Sequence, residues 1–424
     1  VKDLGELFEK HRNNIFLIEG IRQMTFGEFY GYCSGLQCEI KKIKLKTNHV
    51  TVQPDNSIFS LAIIFSLISL GITPSLVSRR DKIMPVIFSL DKIKDINQKI
   101  KRATLDNISL PLEREILFWT SGTSAKPKEA ILTLTNFYFN ALASNENIPY
   151  IANDRWLLSL PVEHVGGLSI IFRALVSGGT VVLTEPGSDF LPEEITHLSF
   201  VATQLYRYQK DPRPLPNLKA LLLGGSAIPW DLVEKSLKLG LPIFKSYGMT
   251  EMASQVTTTR SQNPEELKTS GRLLSQVKVR INEGQIYVKG PSLFKGYSGT
   301  ESQSEIFDSD GWFKTKDRGE WTKDGFLNVL GRSDRVFISA GENISPEFIE
   351  RALLDYPGVL KARVIPEKND EFGFCPLAFI SHEGEYDSNG LYEFLRTRLS
   401  GIQIPKRIQD WSQLPDQYRT SKDL

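Results

Sequence analysis

At 424 residues, 41% of them hydrophobic, the chain is too long for one core and apolar enough for two or more domains. Lys plus Arg number 51 against 50 Asp plus Glu, so no global field argues for nucleic acid or an acidic surface as partner. Three cysteines, Cys33, Cys38 and Cys375, are odd in number and lack ligand spacing, which excludes a disulfide framework or a cysteine metal site and suits a reducing compartment, the cytoplasm.

The first residues, Val1 to Phe8, follow an amphipathic helical pattern and not that of a signal peptide. Lys41 to Lys46 and Arg79 to Lys82 are local basic runs without interleaved aromatics, which reads as solvated surface. Ile58 to Leu70 is strongly apolar but shorter than the roughly 20 residues that span a bilayer, and is expected to be a core helix rather than a transmembrane segment. The apolar run Ile116 to Phe118 then feeds Thr120-Ser121-Gly122-Thr123-Ser124-Ala125-Lys126-Pro127-Lys128. Glycine lets a backbone approach an anion, hydroxyls and N–H groups donate to phosphate oxygens, and lysines offset the charge. By itself such a stretch also reads as an exposed turn, and it lacks the Gly-Lys-Ser/Thr spacing of the kinase and GTPase phosphate loop.

Strands and helices alternate from there: a strand over Trp156 to Leu160, a helix from near Gly167, a strand over Thr180 to Leu183, another over Leu198 to Val201 and a helix after Thr203. His164, between a strand end and Gly166-Gly167, is either a polar anchor of a pocket or a satisfied core histidine. His197 reads as structural; Arg173 could pair with a carboxylate, but the amphipathic pattern of its helix favours a place facing solvent. Leu221 to Leu223 is a buried strand ending in the turn Gly224-Gly225-Ser226, followed by a helix over Pro229 to Leu239 and a strand from Ile243. This is a βαβ unit, and such units bind ligands at the carboxyl ends of their strands, where Gly224-Gly225 and Tyr247-Gly248-Met249-Thr250-Glu251 both fall. From about Gly271 the texture changes to short alternating strands, with Val277, Val279 and Ile281 opposite Ile286 and Val288 across the turn Asn282-Glu283-Gly284. Asp324-Gly325 marks a further turn and Gly331 to Arg335 a charged link. Ser345-Pro346 starts a helix with Phe348, Ile349, Ala352 and Leu353 on one face, stopped by Pro357-Gly358, in a small α+β region.

These segments, in this order, resemble the signatures of the adenylate-forming acyl-CoA synthetase superfamily over nearly the whole chain. The resemblance implies an α/β fold: a large amino-terminal part, residues 1–330, of parallel-rich βαβ sheets plus a β-subdomain, and a small mobile α+β part, residues 331–424, with a hinge at 331–335. It implies ATP, Mg²⁺ and coenzyme A as cofactor and co-substrates. Thr120, Ser121, Gly122, Thr123, Ser124 and Lys128 would hold the β- and γ-phosphates, beside the Gly224, Gly225 and Ser226 turn. Tyr247 and Gly248 would flank adenine, Thr250 would donate to the α-phosphate and Glu251 would ligate Mg²⁺. Lys314-Thr315-Lys316-Asp317 matches the segment whose aspartate binds the ribose hydroxyls, and Gly331-Arg332-Ser333-Asp334 the hinge, with Arg332 at the nucleotide. Lys422 would reach the α-phosphate during adenylation, although by itself such a lysine equally reads as a solvated charge, and the Ala340-Gly341-Glu342 loop would replace it for the thioester step. Alone, Glu251 reads as a carboxylate at a helix amino terminus and Asp317 as a turn aspartate; their ordered company favours the site reading.

The segments Pro161 to Leu168, Thr196 to Leu205 and Gly341 to Ile344 resemble those of 2-succinylbenzoate:CoA ligases of menaquinone synthesis, with His164, Gly167 and Thr203 at the acyl substrate. Three departures stand against the pattern: Ala125, Lys316 and Ser421 occupy positions where glycine is usual. A left-handed backbone at a non-glycine position costs on the order of 1 kcal/mol or more. Two further readings follow, a CoA ligase for another aryl or medium-chain acid and a nucleotide-binding homologue that has lost ligation. No nucleic-acid partner is expected, and a homo-oligomer is left open.

Overall fold

Short apolar runs bounded by turns become the strands of a nine-stranded sheet. The computed structural model describes residues 1–45, 47–78, 108–120, 128–185, 188, 190–299, 306–415 and 418–419. Across the sheet the strands run Arg272–Leu273, Ser254–Thr258, Ile243–Met249, Ala220–Leu223, His197–Phe200, Arg155–Leu158, Thr180–Leu183, Ile15–Glu19 and Arg22–Thr25. Its centre is parallel, and antiparallel pairs close both edges. The central strands are buried on both faces, which is why they read as continuous apolar runs and not as alternation. Trp156 and Leu158 enter one core, while Leu157, Leu198, Leu221 and Ile243 enter a second with the helix Trp230–Lys238.

A five-stranded sheet runs Gly296–Tyr297, Lys128–Thr133, Glu115–Thr120, Thr73–Leu76 and His49–Val52. It shares the larger core with the first sheet, together with the helices Phe26–Lys42, Ile58–Ser69, Leu134–Asn147 and Val165–Ser177. Ile58–Ser69 buries ten of its twelve residues, so it is the core helix expected. Each large apolar side chain buried there contributes about 1.5–3 kcal/mol. Its serines are satisfied locally, Ser66 donating to the Ala62 and Cys33 carbonyls and Ser60 to Asp55. Among the described residues no helix is long and apolar enough to cross a membrane.

The βαβ unit forms as the sequence implies, Leu221 to Leu223 pairing parallel with Ile243 to Lys245. The β-rich segment is a four-stranded sheet, Lys278–Asn282, Gln285–Lys289, Phe313–Trp321 and Leu327–Arg332. Val279 faces Val288 and Ile281 faces Ile286 across a tight turn in which Glu283 and Gly284 both have positive φ. Beyond it, Val359–Asn369, Gly373–His382 and Arg407–Asp410 form a three-stranded sheet that shares a separate core with the helices Pro346–Leu354 and Ser388–Arg396.

Three expectations change. The first helix begins only at Gly5, because Asp3 is held by the Leu110 N–H. Arg173 does not face solvent: its helix lies within the core and buries every residue from Gly167 to Leu175. Phe348 is 47% exposed, and Glu350 takes the inward place instead, held by Arg335 at 2.6 Å and the Val364 N–H at 2.8 Å.

Candidate functional site

The turn after Leu223 and the end of the neighbouring parallel strand lie side by side. Ser246 donates its hydroxyl to the Leu223 carbonyl at 3.2 Å, and a Cβ on Gly224 would stand 2.8 Å from that hydroxyl. Gly225 has φ +82°, and Gly225 and Ser226 are exposed at the strand end. The strand Ile243–Met249 continues through Tyr247 with an irregularity between Tyr247 and Gly248, then enters the single turn Thr250–Met252. Gly248 admits no side chain, since a Cβ there would lie 1.8 Å from the Ser254 carbonyl oxygen. Glycine is therefore dictated by the returning strand, and the close crossing fixes where Tyr247, Thr250 and Glu251 stand.

Asp317, on Phe313–Trp321, comes to this strand end from the four-stranded sheet. The Tyr247 hydroxyl donates to Asp317 Oδ2 at 2.6 Å. Arg332, opposite Asp317 on the adjacent strand, places its guanidinium 3.6 Å from Asp317 Oδ1 and donates twice to Asp334, at 2.9 and 2.7 Å. Burial pushes the Asp317 carboxyl up to about 6, against the opposing pull of the Tyr247 hydrogen bond and the Arg332 charge, while Glu251 and Asp334 add to the rise. Burial disfavours the Arg332 cation, but its bonds to Asp334 and the charges of Asp317 and Asp334 outweigh this and hold it above its ordinary value. Tyr247 is raised well above the usual phenol range, first by burial and then by the Asp317 charge.

Lys316, before Asp317, has φ +64°. The position does demand a left-handed backbone, so this departure from glycine carries strain; its carbonyl accepts the Ser333 hydroxyl at 3.0 Å. Ala340 is a second case, at φ +48° beside Gly341 at +85°, in the exposed turn between Phe337–Ser339 and Glu342–Ile344. Glu342 lines a cavity there with Phe372, Cys375 and Lys406.

Thr120 and Lys128 form the last pair of an antiparallel hairpin, next to its connecting loop, Thr120 donating its hydroxyl to the Lys128 carbonyl at 3.1 Å. Ser121, Gly122, Thr123, Ser124 and Ala125, which complete the phosphate-loop expectation, lie outside the described residues, as does Lys422. Glu251 Oε1 accepts the Tyr297 hydroxyl at 2.5 Å, and the Lys128 ammonium lies 5.1 Å from the centre of the same ring. Among the described residues no group of three or more His, Cys, Asp or Glu could cage a metal. One anionic oxygen donor beside the segment expected to hold phosphate would suit Mg²⁺, which takes one or two carboxylates and completes its shell with substrate phosphates and water.

Of the residues expected at the acyl substrate, His164 is exposed and its side chain does not cap the helix Val165–Ser177 that follows it. Gly167 is buried, and a Cβ there would lie 2.1 Å from the Pro161 carbonyl oxygen, so packing alone requires glycine. Thr203 lies in the first turn of Ala202–Lys210, whose preceding Val201 would lie 3.3 Å from a Cβ on Gly225. His197 is structural as expected: fully buried, stacked 4.9 Å from Trp156, bonded to Thr196 and the Pro149 carbonyl, with burial lowering it to about 4. Sequence reasoning missed Tyr297 and Arg173. Arg173 donates to Ser144 and Gln255, each at 2.9 Å, and lies over Trp156. An arginine inside an otherwise apolar helical run was the available signal; for Tyr297 only the pairing of two short strands supplies one.

With Tyr247, Glu251, Asp317, Arg332 and Asp334 gathered at one strand end, comparison with known proteins becomes specific. The AMP-binding enzyme family matches residues 97–298. A 2-succinylbenzoate–CoA ligase from Bacillus cereus is 33% identical over 324 residues, 72% of this chain and 67% of that protein. The chain belongs to the AMP-binding enzymes, the adenylate-forming superfamily. Another relative, the 2-succinylbenzoate–CoA ligase of Bacillus licheniformis, is 37% identical over 317 residues, 70% of this chain; the match spans 66% of that relative, about two thirds of its length. Among solved structures of the family, o-succinylbenzoate CoA synthetase from Bacillus subtilis with its acyl-adenylate intermediate superposes with a TM-score of 0.85 at 27% identity, covering 97% of this chain and 94% of that one. The same enzyme with ATP and magnesium ion gives 0.85 at 26% identity, covering 99% and 97%.

Proposed function

We propose that the chain activates a carboxylic acid with ATP and transfers the acyl group to coenzyme A, with 2-succinylbenzoate as the acid, in menaquinone synthesis. The observation that carries this reading is the Tyr247–Asp317–Arg332 cluster beside Glu251, at the carboxyl ends of parallel strands in an AMP-binding enzyme. A carboxylate is a poor acyl donor, and acyl adenylate formation supplies a good leaving group. The protein's task is to orient the two reactants and offset charge that builds on phosphate.

In this reading the buried Asp317 receives the ribose hydroxyls. Tyr247 orients its carboxylate from one side and Arg332 from the other. Thr250 donates to the α-phosphate, Lys128 and the hydroxyls of the 120–124 loop hold the outer phosphates, and Glu251 holds Mg²⁺, which supplies charge neutralisation there. His164 and Thr203 stand at the acyl side. Residues 1–330 and 331–424 act as separate units joined at 331–335, supported by the independent core beyond Phe337. Rotation about that link would exchange the Lys422 loop for the Ala340-Gly341-Glu342 loop. A cytoplasmic location belongs to the same reading, supported by three unpaired cysteines.

The second reading, a binding protein without ligation, is motivated by Ala125, Lys316 and the altered Lys422 loop, of which only the left-handed Lys316 lies among the described residues. About 1 kcal/mol of strain is small against the stability of a folded domain, and Asp317 keeps its bonded place despite it. The ligase reading is therefore preferred. Pyrophosphate release from ATP over a panel of carboxylic acids tests it: release should depend on an added acid, with 2-succinylbenzoate the best. Release with another aryl or medium-chain acid alone would reassign the substrate, and ATP binding with no release for any acid would leave only the binding protein.

A further inference from the structure

The strand Gly296–Tyr297 is two residues long, yet it ties together the two segments assigned to phosphate and metal. Gly296 pairs with Ile131 and Tyr297 with Ala130 on the strand that leaves the phosphate loop at Lys128. Flanking bonds extend the pairing, from the Lys295 N–H to the Ile131 carbonyl at 2.9 Å and from the Ser298 N–H to the Glu129 carbonyl at 2.8 Å. The Phe294 N–H reaches the other way, to the Glu251 carbonyl, at 2.9 Å. The backbone around Tyr297 thus holds Lys128 and Glu251 in one frame.

The side chain repeats this connection. Its hydroxyl donates to Glu251 Oε1 at 2.5 Å, its ring lies under the Lys128 ammonium at 5.1 Å, and the buried Phe294 packs edge-on against it at 4.9 Å. A phenol is a neutral donor, so it fixes a carboxylate without cancelling its charge, and it leaves the second oxygen to another partner. Mg²⁺ requires near-ideal octahedral geometry and is poorly served by a ligand that swings.

We propose that Tyr297 is a positioning residue that presents the Glu251 carboxylate to the divalent cation accompanying ATP and holds Lys128 beside it. The proposal rests on the reading of Glu251 as the metal ligand. Tyr297→Phe removes only the hydroxyl and keeps the ring under Lys128. Calorimetric titration of the whole protein with ATP, over a Mg²⁺ series and in EDTA, reads the effect without turnover.

Tyr297→Phe should raise the Mg²⁺ concentration for half-maximal ATP binding about threefold to tenfold, the net scale of one ordinary hydrogen bond, with ATP affinity in EDTA and the unfolding midpoint unchanged. Glu251→Gln should raise it at least as far, and adding Tyr297→Phe to it should do little more. Should Glu251→Gln shift the Mg²⁺ requirement while Tyr297→Phe leaves it untouched, the proposal fails and the metal reading stands. Should Glu251→Gln itself leave it untouched, the metal reading fails and takes the proposal with it. Equal loss of EDTA affinity and stability in Tyr297→Phe, with no change in Mg²⁺ dependence, would make the tyrosine merely structural and overturn the proposal.

Discussion

Asp317→Asn should make the folded protein more stable at neutral pH while weakening its hold on nucleotide. Burial pushes the largely enclosed carboxyl up to about 6, against 3.8 for an unperturbed aspartate. Ionising it in the folded chain therefore costs about 3 kcal/mol more than in the unfolded one. The sign follows from proton binding: between pH 4 and 6 the folded state holds a proton that the unfolded state has lost, so this group's contribution to stability falls as pH rises through that window. Below it, both states are protonated and the contribution vanishes. Asparagine keeps an acceptor for the Tyr247 hydroxyl and removes the ionisation, while Arg332 retains its two bonds to Asp334. Urea unfolding from pH 4 to 8 should show the variant near wild type at pH 4 and about 1–3 kcal/mol more stable at pH 7.5. ATP affinity should fall several-fold as a charged acceptor becomes neutral. A variant less stable than wild type at pH 7.5, or a difference that does not change with pH, would refute the burial argument.

Lys316→Gly should gain up to about 1 kcal/mol in urea unfolding by relieving the left-handed backbone, whereas Lys316→Val should lose stability. Gly248→Ala should cost about 3 kcal/mol or more in the same assay, because its Cβ would overlap the Ser254 carbonyl. Arg173→Ala should cost about 3–5 kcal/mol, leaving a cavity and stranding Ser144 and Gln255, while Arg173→Met should cost less by keeping the volume and removing a desolvated charge. Asp334→Pro fixes φ at the proposed hinge, so single-turnover pyrophosphate release should survive much better than thioester formation from preformed acyl adenylate; equal loss of both half-reactions in folded protein would remove the hinge role.

Parts of this fold were legible because local and global signals agree. Leu221 to Leu223, Gly224-Gly225, the helix after Pro229 and the strand at Ile243 announce their unit, and the turn Glu283-Gly284 fixes the register of Val279 and Ile281. Of the candidate site, the grouping of Tyr247 with Asp317 was legible from their ordered segments, and the structure brings the two within a hydrogen bond of each other. Arg173 was misread because helical periodicity reports two environments only when a helix has two, and this one is surrounded. Phe348 was misread because the part-buried Arg335–Glu350 pair takes the inward position instead of an aromatic ring, a choice that helical periodicity alone does not show. Tyr297 left no pattern at all, since its partner Glu251 is 46 residues away and only strand pairing brings them together. Gly167 and Gly248 read as pocket or loop glycines, yet crossing backbone explains both.

Product masses after incubation of the protein with ATP, Mg²⁺, coenzyme A and 2-succinylbenzoate decide whether it is this ligase. The account predicts 2-succinylbenzoyl-CoA, AMP and pyrophosphate in equal amounts, and acyl adenylate with pyrophosphate when coenzyme A is left out. ADP and phosphate as products, or ATP recovered intact from a protein that binds it, would contradict the account.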